Sequence, residues 1–174
     1  MDPLDYYSIQ SQLALPYLPT PPEVVEEVIS FLQEFFQQER RMPQQAMDLG
    51  AGDGRVVFAL ATAFPECEVK GIEINEELSN AGQQLVAELP NAQIIRGDLF
   101  QADLASADLV FIFALPTMMA SLRHVLLPLQ TDAIIVAFRY PLAIPDYEME
   151  LLHEGKTEVG AQIYTFFVYC RENF

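Results

Sequence analysis

The sequence predicts one α/β domain whose core is a doubly wound, mostly parallel β-sheet. From Ala46 onward, short apolar runs alternate with stretches of helical periodicity, the pattern of βαβ units around a parallel sheet. Two β-prone runs near the C-terminus predict an antiparallel edge to that sheet. The length of 174 residues suits one hydrophobic core better than two. We therefore expect residues 1–174 to form a single domain.

The N-terminal part predicts an arm followed by a helix that covers the sheet. Residues 1–21 contain several prolines and are expected to form an extended arm. Thr20, Pro21 and Glu23 match a capping box with Thr20 as the cap, so a helix should start here and end between residues 37 and 41. Its apolar residues recur at helical spacing: Val24, Val25, Val28, Ile29, Leu32, Phe35 and Phe36.

Five strands of the parallel sheet are predicted at residues 46–49, 69–73, 93–96, 109–113 and 133–138. The last two are apolar at every position, as is typical of central strands covered on both faces. A helix should begin after Asn75, whose side chain can cap free amides. Its predicted inner stripe consists of Leu78, Gly82, Leu85, Val86 and Leu89.

The remaining segments are predicted with less regular structure. Residues 149–153 and 162–171 are the β-prone runs of the antiparallel edge, separated by Gly155 and Gly160. Residues 101–106 and 139–146 are expected to be loops near the site. Met118 and Met119 are expected to begin a helix that faces the core.

Charge and composition exclude some classes of function. A formal net charge of -16 repels a phosphate backbone, so nucleic acid is a poor partner. A basic protein would be attracted, although solubility alone explains an acidic surface. Cys67 and Cys170, like the two histidines, are isolated and predict neither a disulfide nor a metal site. No apolar run approaches the ~20 residues of a membrane helix, and the N-terminus does not resemble a signal peptide, so we expect a cytoplasmic protein.

A glycine-rich loop carries the main functional signal. Asp48, Gly50, Gly52 and Gly54 fall where the first strand should end and a helix should begin. Glycines let the backbone approach a ligand closely, and the helix N-terminus offers free amides. Dinucleotide-binding proteins use the longer spacing G-x-G-x-x-G. The acid at position 48 would repel a pyrophosphate but suits an ammonium group, which favours S-adenosylmethionine; a purely structural glycine turn remains a third interpretation.

Two further acids follow the next two predicted strands. Glu73 ends the second strand, where a carboxylate can accept hydrogen bonds from both hydroxyls of a ribose. Asp98 follows the third strand, where it can accept an exocyclic amine of adenine while Leu99 or Phe100 packs on the ring. Taken alone, Glu73 is explained equally well as a solvated strand end and Asp98 as a turn residue. Three acids at the carboxyl ends of successive strands are harder to explain without a ligand.

Together, residues 48–55, 71–75 and 97–98 resemble the cofactor motifs of class I S-adenosylmethionine-dependent methyltransferases. The resemblance implies a Rossmann-like class I methyltransferase fold. In it, Asp48, Gly50 and Gly52 would cradle the methionine portion of the cofactor, Glu73 the ribose and Asp98 the adenine. The further predicted cofactor contacts are Tyr17, Ala51, Gly54, Ile74, Leu99 and Ala114.

A narrower resemblance adds residues 16–21, 114–119 and 139–141 to these motifs. In this order the set is similar to the lysine methyltransferases of the mitochondrial ATP synthase c-subunit and adenine nucleotide translocase. It implies that Tyr17 belongs to a segment that folds over the cofactor. The sequence before this segment has no hydrophobic targeting or anchoring stretch, so we do not extend the resemblance to a mitochondrial membrane target.

The acceptor of the methyl group is expected to be an amine. Residues 114–117 read Ala-Leu-Pro-Thr, whereas methyltransferases of adenine or glutamine amides often carry Asn-Pro-Pro and an aromatic residue there. Tyr17, Asp53 and Tyr140 are the candidate catalytic residues by expected location, and Tyr140 could also guide an amine by a cation–π contact. The main hypothesis is a protein-lysine methyltransferase. The alternatives are a small-molecule methyltransferase and a non-catalytic binding protein.

Overall fold

The computed structural model describes residues 17–172, so most of the predicted arm, residues 1–16, lies outside the described residues. The helices of the described chain are α1 (Pro22–Gln38), α2 (Arg55–Ala63), α3 (Glu76–Leu85) and α4 (Met119–Leu126). The strands are β1 (Gln45–Leu49), β2 (Glu68–Glu73), β3 (Ala92–Arg96), β4 (Leu109–Ile112), β5 (Ile134–Phe138), β6 (Met149–Val159) and β7 (Gln162–Arg171). Two single turns of 3-10 helix span Leu99–Gln101 and Pro116–Met118.

The strands form one sheet in the order β3-β2-β1-β4-β5-β7-β6. β1 to β5 are parallel, β7 runs antiparallel to β5, and β6 runs antiparallel to β7 at the edge. The predicted fold class is therefore confirmed, and each end of the five parallel strands lies within one residue of its prediction. β2 and β3 lie on one side of β1, and β4 and β5 lie on the other, so the strand order reverses at β1. Open α/β sheets bind ligands beside such a reversal.

The sheet is covered on both faces, as the apolar sequences of β4 and β5 predict. Leu109 and Phe111 of β4 face the core formed with α1 and α2, whereas Val110 and Ile112 face the core formed with α4. All four side chains are buried. Met118 and Met119 are also buried where α4 begins, which confirms the predicted core-facing helix start.

The predicted threonine cap of α1 is wrong. Pro21 is the N-cap, and its carbonyl accepts the amides of Val24 and Val25, while no side chain caps the helix. Thr20 is buried, and its carbonyl accepts a hydrogen bond from the guanidinium of Arg55. The helix therefore starts one residue later than the capping box predicts, and the backbone of Thr20 is bound by a distant part of the chain.

The predicted inner stripe of α3 is only partly correct. Asn75 caps the helix, since its side chain accepts the Leu78 amide at 3.0 Å. Gly82 is buried as expected, but Leu85 is exposed and Ser79 is buried in its place. A Cβ built on Gly54 would lie 2.9 Å from the Gly82 Cα, so the backbones of α3 and the glycine loop are in close contact there. This contact orients the helix and turns Leu85 outward.

The antiparallel edge is confirmed: β7 spans the predicted residues 162–171, whereas β6 is longer than the predicted 149–153. β6 continues through Gly155 to Val159, and the turn lies at Gly160 and Ala161. Gly155 pairs with Phe166 of β7, whose ring lies where a side chain at position 155 would stand. Gly155 therefore makes room for a core phenylalanine instead of ending a strand.

Candidate functional site

The glycine-rich loop between β1 and α2 is a turn of bare backbone. Gly52 has a φ of 55° and Gly54, the N-cap of α2, a φ of 83°, values that other residues rarely adopt. The Ile72 carbonyl accepts the amides of Gly50 and Ala51, each at 2.9 Å, and so fixes the loop to β2. The loop and the N-terminus of α2 consequently present backbone to a ligand at the carboxyl end of the sheet.

A cavity of about 240 Å³ lies beside this loop, at the carboxyl ends of β1, β2 and β4. It occupies the reversal of strand order, where the fold predicts a ligand site. Its wall is formed by Tyr17, Leu18, Pro19, Thr20, Asp48, Leu49, Gly50, Ala51, Gly52, Asp53, Arg55, Val56, Glu73, Ile74, Asn75, Leu78, Leu99, Phe111, Phe113 and Met118.

Asp48 is the most perturbed acid of the cavity. Asp48 is only 3% exposed. Burial, and then the negative charges of Glu73 and Asp53, raise its pKa from the usual 3.8 to about 8. A buried acid of this kind is stabilised in its charged form by a cationic ligand.

Glu73 holds together the two elements that flank the cavity. Its carboxylate accepts the Gly52 amide at 2.7 Å with one oxygen and the Asn75 amide at 2.8 Å with the other. The side chain is nearly buried. Glu73 thus fixes the glycine loop to the start of α3, and each of its oxygens retains a second lone pair for a ligand.

Tyr17, Asp53 and Arg55 form a cluster that ties the N-terminal segment over the glycine loop. Arg55 makes an ion pair with Asp53 at 2.6 Å and donates to the Thr20 carbonyl at 3.2 Å. The Tyr17 hydroxyl donates to Asp53, and the Tyr17 ring would lie 2.6 Å from a Cβ built on Gly52. Residues 17–20 are therefore packed directly on the ligand-binding loop.

The same cluster determines the protonation of two candidate catalytic residues. The guanidinium of Arg55 holds the pKa of Asp53 below its usual value, which makes Asp53 a weak proton acceptor. Burial and the neighbouring Asp53 raise the pKa of Tyr17, which stays a neutral phenol near pH 7. Neither residue is prepared by its surroundings to act as a general base.

The ANTKMT methyltransferase domain model matches residues 48–149, which include the end of β1, the glycine loop and the whole of β2 to β5. The chain belongs to this family. The match covers more than half of the chain and starts at Asp48, the first residue of the glycine-rich motif.

Two relatives of known name share about a third of the aligned residues. A protein-lysine N-methyltransferase of Saccharolobus islandicus is 31% identical over 106 residues, which are 58% of this chain and 61% of that protein. The lysine N-methyltransferase of the ATP synthase c-subunit from Rattus norvegicus is 33% identical over 135 residues, which are 75% of this chain and 58% of that protein. The chain thus spans about three fifths of the length of these relatives.

Solved methyltransferase structures share the fold at low sequence identity. An RNA methyltransferase from Salinibacter ruber, solved with S-adenosyl-L-homocysteine, has a TM-score of 0.70 and 23% identity, over 90% of this chain and 95% of that chain. Magnesium protoporphyrin IX methyltransferase from Synechocystis, solved with bound SAM, has a TM-score of 0.66 and 15% identity, over 98% of this chain and 93% of that chain. These structures place this family member in the class I methyltransferase fold.

The structure brings most of the predicted site residues to one cavity. In its wall are Tyr17, Asp48, Gly50, Ala51, Gly52, Asp53, Glu73, Ile74 and Leu99. Four predicted residues are not part of the wall: Gly54, Asp98, Ala114 and Tyr140. Gly54 packs on α3, and Ala114 is fully buried. Asp98 caps the short turn after β3 through the Phe100 amide, and Tyr140 stacks on Phe113, which does line the cavity.

Several wall residues were not predicted from the sequence. Arg55 could have been found from its local sequence, because Asp53, two residues earlier at the start of the helix, can form an ion pair with it. Phe111 and Phe113 had no such signal, since every residue of that apolar run fits a buried strand. Their position at the end of β4 adds an aromatic side to the cavity.

Residues 17–172 contain neither a membrane-spanning helix nor a metal cluster. No helix in that range is both long enough and apolar enough to cross a membrane. No three His, Cys, Asp or Glu side chains of the same range are grouped so that they could hold a metal ion. Both cysteines are free thiols, with Cys67 buried.

Proposed function

We propose that this protein transfers a methyl group from S-adenosylmethionine to a lysine side chain of another protein. One observation carries the proposal: Asp48, the bare backbone at Gly52 and Glu73 converge on one cavity in a chain that belongs to a methyltransferase domain family. The relatives named as lysine methyltransferases support lysine as the acceptor.

The residues of the cavity fit S-adenosylmethionine chemically. Its ammonium would compensate the buried charge of Asp48, and its ribose hydroxyls would donate to the free lone pairs of Glu73. Leu99 offers an apolar surface to the adenine. Asp98 remains the proposed partner of the exocyclic amine. It is not part of the cavity wall, but its neighbour in sequence, Leu99, is.

The bound cofactor supplies a methyl group on a positively charged sulfur, which an in-line nucleophile can accept. The chain's task is to align the acceptor and exclude water, and Phe111, Phe113 and Met118 provide an apolar side for this. A lysine ammonium, with a reference pKa of about 10.4, must first lose a proton. Burial against these side chains lowers the amine pKa, so deprotonation needs no strong base.

Asp53 and Tyr17 then serve as positioning residues in this proposal. Asp53 is engaged by Arg55 and Tyr17, and its lowered pKa disfavours proton uptake. The arrangement supports a role in holding residues 17–20 over the cofactor. The acidic net charge supports a protein acceptor over nucleic acid, and a cytoplasmic location remains part of the proposal.

Methyl-labelled S-adenosylmethionine tests the proposed reaction. The pure protein is incubated with labelled cofactor and a size-fractionated lysate, and labelled proteins are hydrolysed to amino acids. We expect methyl-lysine in the macromolecular fraction. Label confined to low-mass compounds would identify a small-molecule methyltransferase. Absence of calorimetric heat with either S-adenosylmethionine or S-adenosylhomocysteine would identify a non-catalytic protein.

Glu73→Ala is expected to weaken cofactor binding by about 1 to 3 kcal/mol, because the ribose loses its acceptor in a buried setting. The change also removes the partner of the Gly52 and Asn75 amides. Calorimetric titration with S-adenosylhomocysteine measures the effect. Glu76→Ala is the matched control, since Glu76 lies three residues on in an exposed ion pair with Arg96. Equal affinity in the two variants would mean that Glu73 does not contact the cofactor.

Arg55→Gln is expected to speed cofactor dissociation about fivefold, as the loss of one partly exposed ion pair worth ~1 kcal/mol allows. The substitution frees both Asp53 and the Thr20 carbonyl, so residues 17–20 lose their tie to the glycine loop. The dissociation rate is measured on protein captured on a surface, after the flow of S-adenosylhomocysteine over it has been stopped. Lys70→Gln is the control and should leave the dissociation rate unchanged. It breaks the ion pair with Glu68 at the amino end of β2, away from the cavity. Equal dissociation rates in wild type and Arg55→Gln would exclude a retaining role for this segment.

A further inference from the structure

The edge strand β6 has no neighbouring strand on its outer side. It closes the strand order of the sheet, and no other strand of residues 17–172 pairs with it there. Its last part, residues 156–159, also extends past the end of β5, because β5 pairs with β7 only from Phe166 to Cys170. A two-stranded ribbon of this kind is marginally stable in water, and a further strand stabilises it. The edge is therefore open to another strand.

The hydrogen-bond pattern shows which backbone groups of β6 are directed outward. The carbonyl of Thr165 and the amide of Arg171 bond to residues that flank β5, so the odd-numbered residues of β7 direct their backbone toward β5. The even-numbered residues of β7 bond to β6 instead, where they pair with Gly155, Thr157 and Val159. The alternate residues of β6 must direct their amides and carbonyls away from β7: Glu154, Lys156 and Glu158.

The charges on these three exposed residues alternate in sign along β6. Their side chains share one face of the strand, and Lys156 makes an ion pair with Glu154 of its own chain at 3.0 Å. Charged residues commonly protect an edge strand from pairing. In this order, however, they complement a second copy of the same strand that runs antiparallel with Gly155 facing Gly155. Glu154 of each copy then lies directly opposite Lys156 of the other.

Charge and the shape of the strand exclude most other antiparallel registers. A register centred on any one of the three charged residues sets that residue opposite its own copy, and like charges in this position destabilise a sheet. A β-bulge between Leu151 and His153 interrupts a ladder nearer the start of β6. The registers centred on Gly155 and on Thr157 remain.

Apolar contact favours the register centred on Gly155. His153 of β6 stacks on Phe31 of α1 with ring centroids 4.3 Å apart, and both side chains are half-buried. Centring on Gly155 brings Thr157 of the second copy opposite His153, so the added strand covers the aromatic pair. Centring on Thr157 instead sets the turn at Ala161 of the second copy opposite His153. The register on Gly155 thus removes more apolar surface from water.

We propose that two copies of this chain associate through β6, antiparallel about Gly155, and form a sheet that continues across both copies. The association does not depend on the proposed reaction. The cavity lies at the ends of β1, β2 and β4, and β5 and β7 separate β4 from the seam, so both cavities stay open. The net charge of -16 on each copy opposes association at low salt. At physiological ionic strength the Debye length is about 8 Å, so the charges at the seam interact more strongly than those farther away.

Charge reversal tests this seam. Sedimentation velocity at physiological ionic strength, from micromolar to submillimolar protein, gives the dissociation constant of the dimer. Glu154→Lys and Lys156→Glu each set like charges opposite each other at two symmetric places, and each should weaken dimerisation about tenfold or more. An equimolar mixture of the two variants should restore the dimer, because lysine again lies opposite glutamate at both places. Mutual rescue in the mixture also shows that both variants are folded.

Glu158→Lys is the matched control, because it changes the net charge as Glu154→Lys does but lies opposite the uncharged Leu152 in this register. It should retain the dimer. A wild type that is monomeric at every concentration would overturn the proposal, and so would a dimer that both single variants leave intact or a mixture that stays dissociated. If Glu158→Lys disrupts the dimer as strongly as Glu154→Lys, the seam is centred on Thr157 and the register on Gly155 is wrong.

Discussion

The wild-type protein is expected to lose stability as the pH rises from about 4 to about 8, and Asp48→Asn is expected to abolish that loss. The pKa of Asp48 lies near 3.8 in an unfolded chain and at about 8 in the folded protein. Between these values the folded state binds the extra proton, so the free energy of unfolding falls as the pH rises. A single group of this kind contributes at most ~1.4 kcal/mol per pH unit. Above about pH 8 its contribution no longer changes.

Urea unfolding of the ligand-free protein at pH 5, 6, 7 and 8 measures this slope. The variant should be more stable than the wild type at pH 8, with a difference that shrinks toward pH 5, because asparagine carries no charge to bury. Asp103→Asn is the matched control: Asp103 is exposed, and its bond to the Ala105 amide can be kept by asparagine. If both variants follow the wild-type slope, Asp48 does not bind a proton in the folded state.

Ligand binding should depend on the same titration in the opposite sense. An ammonium group beside Asp48 favours the carboxylate, so affinity for S-adenosylmethionine should rise with pH toward about 8, by at most about tenfold per unit. The Asp48→Asn variant should bind more weakly and with little pH dependence over this range. Calorimetric titrations at the same four pH values measure both proteins.

The parallel strands could be predicted from the sequence because their signal is local. Fully buried strands such as β4 and β5 must be apolar at every position, and an aspartate precedes each of these two predicted runs. The acids at the strand ends were predicted for a similar reason: parallel strands bring their carboxyl ends to one edge, so Asp48 and Glu73 had to meet. Topology and local pattern together therefore predict the centre of the site.

Other features depend on contacts between distant parts of the chain. The Thr20 carbonyl is bound by Arg55, 35 residues later in the chain. The face that α3 buries is decided by the close contact between Gly54 and Gly82. Phe113 and Tyr140 meet only because the chain turns sharply at Arg139. Periodicity and local motifs contain no information about such contacts.

Gly71→Ala is expected to destabilise the protein by about 1 to 3 kcal/mol, the usual cost of an extra methyl group in a filled core. A Cβ on Gly71 would lie 2.6 Å from the Ala51 Cβ, 2.7 Å from the Ile94 Cδ1 and 2.8 Å from the Val57 Cγ2. The isoleucine end can rotate, but Ala51 belongs to the ligand-binding loop and Val57 to the core of α2. The added methyl group should therefore displace the glycine loop as well as strain the core.

Two measurements separate these effects of Gly71→Ala. For a chain of this length we expect a fall in Tm of about 2 to 4 °C per kcal/mol, together with weaker S-adenosylhomocysteine binding. Gly97→Ala is the matched control, because the nearest atom to its Cβ would be Ile72 Cγ2 at an ordinary 3.7 Å, and its Tm should stay near that of the wild type. Ala51→Gly removes one of the crowded atoms, so the double variant should be more stable than the sum of the single changes predicts. Strictly additive effects would show that Gly71 does not transmit strain to the loop, because residues in direct contact couple in such a cycle.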